Sequence, residues 1–156
     1  MRYVEDVFPG LKEGTHKLKT VNLADATVLR TKSVLCAFGE VTASDQKFCF
    51  VAPCVCTISK IYLVNDATIT KSDTNYWSMQ VDNLTQADEL LSAVTTTKDT
   101  GGTTVTANTA WDLGVDQNLT LAANDVLELD FAITLTPTNW SEGVAIVIYT
   151  VGATAT

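Results

Sequence analysis

The stretch VLELDFAITL, Val126–Leu135, decides the fold class. Leu127, Leu129, Phe131, Ile133 and Leu135 share one parity, while Glu128, Asp130 and Thr134 share the other. Strand side chains alternate between faces, so this segment reads as a strand with one buried and one solvated face. The next apolar segment, Val144–Val151, is apolar on both faces: Val144, Ile146 and Ile148 on one, Ala145, Val147, Tyr149 and Val151 on the other. It reads as a central strand covered on both sides. A two-sheet sandwich buries only one face of each sheet. The second face therefore needs a cover: a symmetric partner is the simplest one, with Val147 and Tyr149 as the candidate subunit interface, and the N-terminal stretch of the chain is the competing cover.

Further upstream, Asn75–Asp82 alternates in the same way, with Trp77, Met79 and Val81 inward and Tyr76, Ser78, Gln80 and Asp82 outward. Val34–Phe38, Lys47–Ala52 and Val55–Val64 read as strands, and Glu89–Lys98, Thr103–Thr106, Ala110–Leu113 and Gln117–Leu121 as shorter ones. Turn signals such as Asn65-Asp66, Gly101-Gly102 and Ala122–Asp125 separate them. No segment reads as a helix. Threonine, at 25 of 156 residues, fits a half-buried pleated surface. Fold class is therefore all-β: an antiparallel two-sheet sandwich, jelly-roll-like because the strand count is high and the Cys…Trp…Cys spacing of immunoglobulin domains is missing.

Charge divides the chain in two. Residues 1–32 hold six of the ten bases and four acids, net +2, whereas the other 124 residues hold four bases and fourteen acids, net −10. The first stretch shows no sustained period and is punctuated by Pro9-Gly10 and Gly14. We read residues 1–32 as an extended N-terminal arm and 33–156 as the sandwich domain. The acidic body is a poor match for nucleic acid, and no apolar run approaches the roughly 20 residues that span a bilayer. MRYVEDVFPG lacks the apolar segment of a signal peptide, which implies an untargeted chain made in a cytoplasm. Lys12, Lys17, Lys19, Arg30 and Lys32 are the candidate contacts to an anionic surface.

Few residues point to chemistry. The single histidine, His16, lies in the leader, and no nucleophile elbow, phosphate loop or zinc-protease motif occurs. Glu128 and Asp130 stand roughly 7 Å apart along one strand face, a separation also expected of solvated acids on any half-exposed strand. Cys36, Cys49, Cys54 and Cys56 match no zinc spacing and read as small buried hydrophobes. The loop aspartates lack EF-hand spacing. We expect no enzyme activity, no cofactor and no metal.

The segment VAPCVCTISKIYLVNDATITKSDTNYWSMQVDN, Val51–Asn83, followed by AANDVLELDFAITLT and the final GVAIVIYTV, resembles small β-sandwich virion proteins of tailed bacteriophages. These are the capsid decoration (cement) and head-fibre proteins. The resemblance spans Ser33–Val151 and rests on fold-like signatures, so it supplies no site residues. It implies a structural protein bound to the capsid surface after synthesis in the host cytoplasm, with the major capsid protein as partner. It also implies a homo-oligomer, trimer favoured over dimer, that adds contacts through an extended arm. The alternative is a receptor- or carbohydrate-binding module of a tail or head fibre, with Tyr76, Trp111 and Trp140 as stacking platforms.

Overall fold

The computed structural model describes residues 31–151. In chain order the strands are β1 (Thr31–Phe38), β2 (Asp45–Val51), β3 (Cys56–Asn65), β4 (Tyr76–Asn83), β5 (Asp88–Glu89), β6 (Thr95–Thr96), β7 (Trp111–Asp112), β8 (Thr120–Leu121), β9 (Val126–Thr134) and β10 (Gly143–Val151). One sheet runs β1-β10-β3, with β7 and β8 both along the far edge of β3. The other runs β2-β9-β4, with β5 and β6 both along the far edge of β4. All pairs are antiparallel. Taking β5 with β6 and β7 with β8 as two interrupted strands, this order is that of a jelly roll, as expected from the sequence.

The core lies between the sheets. Leu127, Leu129 and Phe131 of β9 and Trp77, Met79 and Val81 of β4 meet Ile58, Ile61 and Leu63 of β3 and Ala145 and Val147 of β10. Phe131 is the hub: its ring lies 5.4 Å from Phe38, 5.7 Å from Trp140 and 6.3 Å from Trp77. Trp111 stacks on Trp140 at 6.1 Å, closing one side of the core.

Four sequence expectations change here. Val147 and Tyr149 are not a surface patch: Val147 is fully buried and Tyr149 is 7% exposed, with its ring 4.9 Å from Phe50 of the opposite sheet. The outward residues of β10 are Val144, Ile146 and Ile148. The strand expected over Glu89–Lys98 is interrupted: only Asp88–Glu89 and Thr95–Thr96 pair with β4, and between them the consecutive Leu90 and Leu91 both enter the apolar core. Gln80 and Gln117 hold that break by donating to the Leu91 carbonyl at 3.2 and 3.0 Å. Thr103–Thr106 forms no strand of a sheet: Val105 bridges to Ile69, and the Thr103 N–H donates to the Thr96 carbonyl at 2.9 Å. Leu135 leaves the ladder in a left-handed conformation, φ +54°, and is exposed, so the apolar face of β9 ends before it.

Candidate docking surfaces

The sheet order places two outer faces on the body, and register defines each. On the first sheet, Leu35, Ile146 and Tyr62 stand in a row across β1, β10 and β3. Ala37, Val144 and Val64 form the next row towards one end, and Ser33, Ile148 and Lys60 the row towards the other. All but Ser33 and Lys60 are apolar, and Leu35 is 68% exposed. Lys60 caps the patch, pairing with Asp112 at 2.6 Å and lying 5.5 Å from the Tyr62 ring centre. Its hydrogen bond to Asp112 pushes its pKa up.

On the second sheet the outward residues are of another kind. Val51, Val126 and Leu84 form an apolar row, the ladder continuing through Leu84 N–H donating to the Val126 carbonyl at 3.0 Å. Phe48, Glu128, Asp82 and Glu89 form the next row across β2, β9, β4 and β5, and Gln46, Asp130 and Gln80 the one after. Phe48 reaches this face because β2 carries a bulge between Phe48 and Phe50. Without it, the two phenylalanines of Lys47-Phe48-Cys49-Phe50 would share one face. With it, Phe50 and Cys49 are buried and Phe48 is exposed. Sequence alternation alone had no means of finding Phe48 as a surface residue.

Burial pushes the Glu128 carboxyl above its usual range, and the neighbouring Asp82 and Asp130 push it further. Asp82 is raised in the same way, by burial and then by Asp130 and Glu89. A carboxyl raised on folding contributes stability that is complete below its unfolded pKa, about 4.3 for Glu, and is lost as pH rises through the folded value. Ionised Glu128 therefore opposes folding at neutral pH. Glu128→Gln is expected to raise the melting temperature by about 2–4 °C at pH 7, with the gain shrinking towards pH 4. Paired thermal melts across that range test this, and a variant no more stable than the parent at pH 7 would contradict it.

The remaining candidates fall as follows. Lys12, Lys17, Lys19 and Arg30 lie outside the described residues. Lys32 is exposed and sits in β1 opposite Tyr149, so the first sheet already begins at Thr31. Trp111 and Trp140 are core residues, while Tyr76 is half-buried with the Lys98 ammonium 5.7 Å from its ring centre. Glu128 and Asp130 do share the outer face of β9. The four cysteines are free thiols, of which Cys49 and Cys56 are buried in the core. Burial pushes Cys49 up to about 12 and Cys56 up to about 11, which keeps both protonated and unreactive at neutral pH. Among the described residues, no three His, Cys, Asp or Glu side chains converge on a metal position.

No family model matches the chain, and no curated protein matches it. Among solved structures it is similar to a chain titled "Cyanophage Pam1 capsid asymmetric unit", with a TM-score of 0.42 and 18% identity over 77% of this chain and 83% of that one. A likeness this distant assigns no function.

Proposed function

We propose that the protein is an accessory structural component of a phage virion, a decoration or cement protein that binds and stabilises the assembled capsid shell. The observation that carries this reading is the apolar outer face of the first sheet, Leu35, Tyr62, Val64, Val144, Ile146 and Ile148, on a jelly-roll body. A contiguous apolar surface of this kind marks a contact site on a soluble body. The sequence resemblance over Ser33–Val151 and the contrast between a basic leader and an acidic body support the same reading.

In this reading the protein works mechanically. The body docks on the major capsid protein at the surface of the shell. Lys12, Lys17, Lys19, Arg30 and Lys32 supply further, salt-screened contacts, and two weak attachments on one chain combine into a tight one. Binding the closed shell but not loosened subunits stabilises the shell by linkage. A homo-oligomer, trimer before dimer, multiplies the effect, and the Ile146 face replaces Val147 and Tyr149 as its candidate contact. The carbohydrate-binding alternative loses part of its motive, because Trp111 and Trp140 are buried.

Particles stripped of the protein and titrated with it provide the test. Bound protein is expected to raise the temperature at which particles open. Deleting residues 1–30, which leaves β1 whole, or replacing the five bases by Gln, is expected to weaken attachment and flatten its salt dependence. Affinity unchanged by the five replacements would remove electrostatics from the mechanism, and particles that never bind the intact chain would remove the proposal.

A further inference from the structure

The outer face of the second sheet is built against itself. Glu128 of β9 lies directly across from Asp82 of β4, and Asp82 lies across from Glu89 of β5. Like charges in directly opposed positions of a sheet repel one another. Asp130 adds a fourth carboxylate two residues along from Glu128 on the same face. The ion pairs among the described residues are Lys47–Asp45, Lys60–Asp112 and Lys71–Asp99, and none reaches this row. Glu128 has no hydrogen bond or ion pair among the described residues, and its carboxylate oxygens reach solvent, since the one enclosed and unpartnered side-chain polar atom there is Trp140 Nε1. An uncompensated row of like charges of this kind is complemented by a cationic partner.

The surroundings indicate what that partner carries. Phe48, 66% exposed, lines the recess that also holds Glu128 and Asp130. The same Phe48 lines an adjoining apolar groove with Val51, Leu84 and Val126. Val51 and Leu84 are themselves exposed. One surface therefore offers an apolar groove and an uncompensated carboxylate row joined through one aromatic ring. A small divalent cation matches this poorly, since the acids spread along a row instead of converging on a point. Nucleic acid is repelled by the row.

We propose that this face is a docking surface for an extended cationic polypeptide segment whose Lys or Arg residues stand beside apolar side chains. The ammonium or guanidinium groups take the row Glu128, Asp82 and Glu89, and the apolar side chains enter the groove of Phe48, Val51 and Leu84. The inference goes beyond the capsid reading and does not depend on it, because any partner with this chemistry satisfies the face.

Titration of the full chain with a short peptide alternating Lys and Leu, followed by calorimetry, tests the proposal. Saturable binding that weakens with salt is expected, with proton release on the acid side of neutrality as the carboxyls of Glu128 and Asp82, both held above their usual range, ionise against the bound charge. The double variant Asp82→Asn, Glu128→Gln relieves repulsion, so it folds at least as well as the parent. It is expected to bind roughly two- to thirtyfold more weakly, two exposed ion pairs being removed. Phe48→Ser is expected to weaken binding without altering the salt slope. Salt-sensitive self-association of the chain that disappears in the double variant supports the proposal as well, a second copy then supplying the cationic segment. Equal binding of a Glu-Leu peptide, full affinity in the double variant, or saturable binding of calcium alone that the double variant abolishes would each overturn it.

Discussion

Val147→Lys is expected to abolish folding, and Ile146→Lys, one residue away, to leave it nearly intact. Val147 has no exposed surface and sits between Val34 of β1 and Ile61 of β3 on the inward face of the first sheet. An ammonium placed there loses its hydration and finds no counter-charge. The penalty is several kcal/mol per ion even after relaxation. Displacing the packed side chains around a longer group adds about 1–3 kcal/mol. Together these approach the roughly 5–15 kcal/mol that holds an ordinary domain folded. Ile146 points the other way, between Leu35 and Tyr62, where a lysine stem lies along apolar surface and its head reaches water. Circular dichroism and thermal melts of the two purified variants decide the matter. A cooperatively folded Val147→Lys protein would mean that the inward face of β10 is not core. The same pair bears on assembly. If the chain self-associates through the outer face, Ile146→Lys sediments as a folded monomer.

The second large effect is expected at Asp125. This carboxylate is 2% exposed, and its Oδ2 accepts hydrogen bonds from Asn83 Nδ2 at 3.0 Å, Gln86 Nε2 at 2.5 Å and the Ala122 backbone N–H at 2.8 Å. Its own carbonyl accepts from the Ala52 N–H at 2.8 Å. One residue thus fastens the loop after β4, the turn before β9 and the exit of β2. Asp125→Ala leaves the buried Asn83 amide without its acceptor and frees the turn, costing about 2–4 kcal/mol and lowering the melting temperature by roughly 5–15 °C. Asp125→Asn keeps the shape and one accepting oxygen but loses the charge, so an intermediate loss is expected. A melting temperature for Asp125→Ala within a degree of the parent would show that water replaces the carboxylate without penalty.

What was legible in the sequence depended on how long each strand keeps its period. In β9 and β4 the alternation is unbroken, and Leu127, Leu129, Phe131, Trp77, Met79 and Val81 all lie in the core as their parity requires. Alternation fails wherever the backbone departs from a regular pleat. The bulge in β2 reverses Phe48, and a strand is split in two where Leu90 and Leu91 both enter the core. In β10, both faces are apolar, so parity cannot say which is inward. Only the position of the opposing sheet selects Val147 and Tyr149 for the core and Ile146 for the surface. The acidic row was half visible. Glu128 and Asp130 share a face by spacing, but Asp82 and Glu89 join them through cross-strand register, which no local pattern encodes.

The pairing of β1 with β10 has a consequence for how the chain is made. Thr31 lies opposite Thr150, so the first strand of the body to leave a ribosome pairs with the last strand of that body. β3 waits for that strand too, since β10 lies between them. The first sheet therefore cannot close before β10 has been made, and β1 and β3 both carry an open edge until it arrives. Sheets assembled from such distant pairings form slowly, and waiting edges invite pairing with neighbouring nascent chains. The time those edges stay open is then expected to bear on the yield of folded protein when many copies are translated at once.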